Sequence, residues 1–234
     1  MILFYAPEIL INPVLPETES QHCIRVLRMQ EGETIHVTNG KGLFFKAVLS
    51  EPHPKHCGVR IIETVNQAPL WENRIEIAMA PTKNMDRTEW FAEKATEIGI
   101  DKISFLKTRF SERKEIKTER VNKILVAAMK QSVKATLPEL QEMTAFEKFV
   151  QQPFDGQKFI AHCYPEEKLL LSKSYKKGEN VLIIIGPEGD FSEEEVALAI
   201  ASGFLPVSLG ESRLRTETAA LTACQTIHIA QQLL

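Results

Sequence analysis

The sequence lacks any apolar run long enough to cross a bilayer, so no helical membrane span is expected. Its opening stretch is apolar but carries no basic flank, and Pro7, Glu8 and Pro13 interrupt it, so an export signal is not expected either. Cysteine is scarce: only Cys23, Cys57, Cys163 and Cys224 are present, and none forms a C-x-x-C pair. That spacing argues against a zinc ribbon or a dithiol redox motif. His22, His56 and His162 each precede a cysteine, but adjacent residues rarely reach one metal and the intervals match no zinc pattern, so no metal is expected. Wide spacing and no export signal point to reduced, mostly buried thiols in the cytoplasm. A positive balance is also missing. The 28 Lys and Arg residues face 31 Asp and Glu residues, a net charge of −3, so any polyanion would have to be held by a local patch.

What is present is ordinary for a globular chain. Hydrophobic residues make up 44% of 234 positions, enough for a real core without disulfides or metals. Residues 1–68 read as β-rich. Thr34–Thr38 alternates, Asn39-Gly40-Lys41-Gly42 supplies turn chemistry, and Leu43–Leu49 alternates again, which predicts a hairpin; Gly58–Val65 reads as a further strand. The pattern lapses between Thr64 and Asn73, around Pro69, and a domain boundary is placed there. From 73 to 234 strands alternate with helices. Strands are expected at Ile75–Ala80, Ile103–Leu106, Lys158–Ala161, Val181–Ile185 and Pro206–Leu209. Helices are expected at Asp86–Ile98 (Asp86 and Glu89 as a capping pair, Gly99 as the stop), Glu119–Ala135, Ser192–Ser202 and Thr216–Leu233. The class is α/β with a mostly parallel sheet.

Two loops carry the chemistry. The apolar run Val181–Ile185 suits a strand covered on both faces, and ligands in such sheets bind beyond the strands' carboxyl ends. The following residues, Gly186-Pro187-Glu188-Gly189-Asp190-Phe191-Ser192, are neither a dinucleotide fingerprint nor a P-loop. They are acidic, as are Glu193, Glu194 and Glu195 after them. Ser192 with Glu195 has capping-box spacing, and Phe191 with Val196 that of a hydrophobic staple. Carboxylates at a helix start answer its dipole and repel phosphate, so a non-phosphate ligand with some positive charge fits better. A plain capped turn would show the same residues. The second loop, Leu209-Gly210-Glu211-Ser212-Arg213-Leu214-Arg215-Thr216-Glu217-Thr218, also leads from a strand into a helix.

Together these segments resemble the SPOUT superfamily of methyltransferases, most closely the bacterial family that methylates N3 of a uridine in small-subunit ribosomal RNA. The matching residues are His22–Arg28 and Asn39–Gly42, then Lys83, Lys94–Gly99, Ser111–Arg113 and Gln131-Ser132 with Pro138. Last come Ile185–Gly189, Leu209-Gly210 and Leu214–Ala219. The resemblance implies a PUA-like RNA-binding β-barrel over 1–68 and a SPOUT α/β domain with a C-terminal trefoil knot over 73–234. It also implies a homodimer, S-adenosylmethionine as cofactor, and ribosomal RNA or the assembled small subunit as partner. One departure is Asp190, where the family's loop often has a second glycine. The other is an extreme N-terminus that is not basic.

On that footing the cofactor-binding candidates are His162, Ile185, Gly186, Pro187, Glu188, Gly189, Leu209, Gly210, Arg213 and Leu214. Methyl transfer to uridine N3 needs alignment first and a proton acceptor or anion stabiliser second. Arg215 is the expected anion stabiliser and Glu217 the group that orients the base or takes the proton. RNA grip is expected from the Lys107–Lys123 stretch, seven basic residues against three acidic, net +4, and from a helical stripe. The residues chosen are Arg25, Arg28, Arg109, Arg113, Lys123, Lys130 and Lys134. Two alternatives stay open: a related knotted enzyme acting on tRNA, and a non-catalytic RNA-binding assembly factor.

Overall fold

The computed structural model of the chain describes residues 2–68 and 70–233; Pro69, which marked the expected boundary, lies outside them. The chain divides into two compact units, residues 1–70 with 126–137, and residues 71–125 with 138–234. Among the described residues no helix is long and apolar enough to cross a membrane, and no cluster of His, Cys, Asp and Glu is placed to hold a metal ion.

The first unit opens with β1 (Leu3–Tyr5), α1 (Glu17–Gln21) and a π-helical turn at His22–Val26, followed by β2 (Thr34–Thr38), β3 (Leu43–Glu51) and β4 (Gly58–Asn66). These strands form one sheet in the order β1-β2-β3-β4, parallel at β1–β2 and antiparallel elsewhere. The predicted hairpin is β2–β3. Asn39 Oδ1 closes its turn by accepting from the Lys41 and Leu43 N–H groups at 2.9 and 3.3 Å. The inward positions Ile35, Val37, Phe45, Ala47 and Leu49 pack with Phe4, Cys23 and Cys57 as the core. Burial pushes the Cys23 thiol up to about 12, so it stays a neutral, hydrophobic SH.

The second unit is a seven-stranded sheet with every pairing parallel, built from β5 (Ile75–Met79), β6 (Lys102–Lys107), β7 (Glu139–Ala145), β8 (Gln157–Ala161), β9 (Leu169–Leu170), β10 (Val181–Ile185) and β11 (Leu205–Ser208). The order is β7-β6-β5-β10-β8-β11-β9. The continuous apolar run β10 is therefore central, and all five of its residues are buried. Its helices are α2 (Met85–Ile98), the first part of α3 (Thr118–Gln131), α4 (Phe146–Val150), α5 (Leu171–Ser174), α6 (Glu193–Ala201) and α7 (Thr216–Leu233).

Local chemistry moved some expected ends. The cap of α2 is Asn84, not the Asp86–Glu89 pair, because its side chain accepts the Asp86 N–H at 3.1 Å. Gly99 ends that helix at φ +133, as its position suggested. Helix α3 stops at Gln131 rather than Ala135. Val133 takes a left-handed φ of +53, and the backbone beyond it is engaged elsewhere in the first unit. The Ala135 carbonyl accepts from Gly42 N–H and Thr38 Oγ1, and Ala135 N–H donates to Gln67 Oε1. Two consequences follow. Val133 is exposed, and Lys134 leaves the basic stripe and is buried.

Candidate functional site

Beyond the carboxyl ends of β8 and β10 lies a cavity of about 390 Å³. Its wall comes from three segments: Ala161 and Cys163 after β8, the whole stretch Ile185–Asp190 after β10, and Arg213–Thr216 with Ala219 where α7 begins. These loops are held by short-range rules. Glycine at 186 lets the backbone pass closely, because a Cβ there would crowd the backbone of Asp190 and Phe191 at 3.1–3.2 Å. Asp190 adopts φ +66, a left-handed conformation that Asp tolerates better than most residues. Its Oδ2 accepts the Cys163 N–H at 2.7 Å and its Oδ1 the Phe191 N–H at 2.8 Å. The Asp190 carboxylate thus clamps one wall of the cavity to the other.

The acidic run that follows is largely spent on structure. Ser192 and Glu195 form the capping box of α6: Glu195 N–H donates to Ser192 Oγ at 3.3 Å, and Ser192 N–H to Glu195 Oε2 at 2.9 Å. Such a cap contributes about 1 kcal/mol to helix stability. Glu195 Oε1 also accepts the Arg109 N–H at 2.8 Å, and Glu194 pairs with the Arg109 guanidinium at 3.1 Å. Glu188 Oε1 accepts the Lys83 N–H at 2.9 Å. The charged residues of the lining are Glu188 and Asp190, whose carboxylates already accept backbone N–H groups, and Arg213 and Arg215. The lining is balanced in charge, not acidic as the sequence pattern suggested.

Of the residues singled out as cofactor-binding, Ile185, Gly186, Pro187, Glu188, Gly189, Arg213 and Leu214 line the cavity together; His162, Leu209 and Gly210 do not. Side chains alternate along an extended segment, so Ala161 and Cys163 face the cavity while His162 points the other way. The His162 ring lies against Tyr164, with Glu166 Oε1 2.8 Å from Nε2 but out of line for a hydrogen bond. Burial first, and the Lys168 ammonium second, hold its pKa below the usual 6.5; Glu166 and Asp190 pull the other way. Cys163 is the one exposed cysteine, and sequence spacing had not marked it.

The two expected catalytic residues part company. Arg215 lines the cavity, and its carbonyl accepts the Ala219 N–H at the start of α7. Glu217 is buried and lies outside the lining. Thr216 and Ala219 take the cavity face of α7, and Glu217, one position round from Thr216, meets Arg87 of α2 at 3.8 Å. Its Oε2 is buried without a hydrogen-bond partner.

The residues expected to grip RNA are similarly divided. Arg25, Arg28, Arg109 and Lys123 are exposed. Arg113 is half-buried and donates to the Lys83 carbonyl at 3.0 Å. Lys130 is engaged by Glu19 at 2.6 and 2.8 Å, and Lys134 is buried, so neither is an open cation on a helix stripe.

Comparison with known proteins agrees with this geometry. Residues 69–228 match the model of an RNA methyltransferase domain, and residues 15–62 that of an RNA methyltransferase PUA domain. Ribosomal RNA small subunit methyltransferase E of Synechocystis is 30% identical, over 97% of this chain and 76% of its own length. A chain from Porphyromonas gingivalis described as a probable rRNA-methyltransferase superposes with a TM-score of 0.94 at 45% identity, covering 99% of each chain. Ribosomal RNA small subunit methyltransferase E of Neisseria gonorrhoeae, solved with S-adenosyl methionine bound, superposes at 0.86 with 25% identity, covering 98% of this chain and 97% of the other. With the RNA methyltransferase model matched over 69–228 and its PUA model over 15–62, the chain belongs to the RNA methyltransferase family.

Proposed function

We propose that the chain transfers a methyl group from S-adenosylmethionine to N3 of a uridine in small-subunit ribosomal RNA. The observation that carries the reading is the cavity beyond β8 and β10. Its volume is within the range of small-molecule sites. Two carboxylates and two guanidiniums along backbone-rich loops suit a zwitterion with cationic and anionic ends. Ile185–Gly189, Arg213 and Leu214 would hold the cofactor there. When bound, S-adenosylmethionine supplies an electrophilic methyl on a sulfonium.

Uridine N3 must lose its proton, here to solvent water, to attack, and Arg215, which lines the cavity, would stabilise the resulting uracil anion. Glu217, which the sequence offers for orienting the base or taking the proton, is better cast as a buried support of the α2–α7 contact through Arg87. A paired N3 is inaccessible, so the target uridine must be unpaired or flipped out.

The same reading takes residues 1–68 as a PUA-like RNA-binding barrel. The Val14–Gly58 bridge beside the four-stranded sheet supports closure. It takes 73–234 as the methyltransferase domain with a C-terminal trefoil knot. Insertion of β10 between β5 and β8 supports such a crossing. The exposed Trp90 on α2 and Ile229 on α7, both more than 40% accessible, support a homodimer. The expected setting is the cytoplasm.

The test is transfer of labelled methyl from S-adenosylmethionine to small ribosomal subunits lacking the modification, followed by nucleoside analysis. Label in N3-methyluridine supports the reading. Cofactor binding without transfer to these subunits overturns it.

A further inference from the structure

Phe110 is a large aromatic side chain that the fold exposes, at 47% accessibility, at the edge of the cavity loop. Single exposed apolar residues are common and need no explanation. Three observations set this one apart.

The turn that presents it is pinned from inside. Thr108 and Ser111 are both buried; Thr108 N–H donates to Ser111 Oγ at 3.0 Å, and the two hydroxyls lie 2.8 Å apart. The turn is also fastened to the cavity's own scaffold, because Arg109 N–H donates to the capping-box carboxylate of Glu195. On the far side it abuts the loop itself: a Cβ on Gly189 would lie 3.1 Å from Phe110 Cβ. The Arg109 guanidinium carbon lies 5.7 Å from the Phe110 ring centroid. Its pairing with Glu194 is a surface ion pair, 61% and 76% accessible, which is worth little and can be exchanged for a phosphate.

We propose that Phe110 is a stacking platform for an unpaired nucleobase of the RNA substrate, with Arg109 meeting the adjoining phosphate. Aromatic faces recognise bases by stacking and guanidiniums the backbone by charge. A platform locked before the substrate arrives loses little entropy on binding. This inference rests on the methyl-transfer reading above.

The experiment compares wild type with Phe110→Ala and Phe110→Trp, using small ribosomal subunits lacking the modification. Phe110→Ala is expected to raise the KM for subunits about tenfold or more, from the loss of one base–aromatic stack. Its Kd for S-adenosylmethionine, read by calorimetry, and its Tm stay at the wild-type values. Phe110→Trp keeps the wild-type KM and shows fluorescence quenching on addition of subunits beyond that of the wild type, which reports stacking directly. Wild-type transfer with an unchanged KM in Phe110→Ala overturns the platform. So does an altered oligomeric state in that variant with KM unchanged, which would assign the residue to a protein contact. No transfer by the wild type overturns the underlying reading instead.

Discussion

Asp190 holds a left-handed backbone in the cavity loop, and its replacement separates three physical contributions. In the folded chain it accepts two backbone N–H groups, from Cys163 at 2.7 Å and Phe191 at 2.8 Å, while holding φ at +66. The Cys163 bond is solvent-exposed and the Phe191 bond part-buried, so the two together are worth about 2 kcal/mol. Alanine removes both and adds about 1 kcal/mol for the left-handed backbone. Asp190→Ala should therefore cost about 3 kcal/mol, which lowers Tm by roughly 6–12 °C for a chain of this size. Asn tolerates the conformation and keeps one acceptor, so Asp190→Asn should cost about 1 kcal/mol, roughly 2–4 °C. Differential scanning calorimetry gives the ordering, and urea midpoints check it. Because the clamp joins two walls of the cavity, Asp190→Ala should also weaken S-adenosylmethionine binding in calorimetric titration. An alanine variant that melts no lower than the asparagine variant would refute both the hydrogen-bond and the strain arguments.

Arg215→Ala should cut kcat by about 10²–10³-fold, the usual effect of removing a group that stabilises a developing anion. Glu217→Gln should leave kcat near wild type and act on Tm, since its side chain faces Arg87 rather than the cavity; a larger kcat loss in Glu217→Gln than in Arg215→Ala would reverse these roles. His162 supplies a pH dependence. Its folded pKa is lowered from 6.5, chiefly by burial, so the folded chain binds fewer protons there than the unfolded chain. Its contribution to stability is complete above 6.5 and is lost as pH falls through the folded pKa. Urea unfolding from pH 7 down to about 5 should show a decline that His162→Gln flattens; the same slope in both proteins would assign it to other groups.

Strong periodicity and turn chemistry made much of the fold legible. The hairpin β2–β3, the buried run of β10, the Ser192–Glu195 capping box and the Gly99 stop were all written in short stretches of sequence. Strand β7, Glu-Leu-Gln-Glu-Met-Thr-Ala, left no such mark because it is an edge strand without an apolar alternation. Strand β9 has two residues, too few to show a period. The end of α3 was illegible for another reason: the helix expected over Glu119–Ala135 stops at Gln131 because distant partners at Thr38, Gly42 and Gln67 claim the backbone beyond it. The site showed the same division. The loops were visible in sequence, while the facing of individual side chains was not. Alternation turned His162 out and Ala161 and Cys163 in, and helical rotation turned Glu217 away from the face that Thr216 and Ala219 present. The acidity of the loop misled because a count of carboxylates does not say which of them are already accepting hydrogen bonds.

Glu195 joins two of these functions in one side chain, and that connection can be tested. Oε2 completes the capping box of α6, and Oε1 holds the N–H of Arg109 and with it the turn that presents Phe110. Glu195→Ala leaves the Ser192 and Arg109 N–H groups without their acceptor, a cost of roughly 2–4 kcal/mol. Ser192→Ala removes the other half of the box, at about 1 kcal/mol, and leaves the Arg109 bond in place. Both variants should lower Tm, Glu195→Ala by more. Only Glu195→Ala should raise the KM for ribosomal subunits, because only it releases the turn. The discriminating quantity is thus KM at matched stability, measured for Ser192→Ala at a temperature raised by the difference in Tm. An equal rise in KM in the two variants would mean that helix fraying, not the tie to Arg109, disturbs the substrate surface.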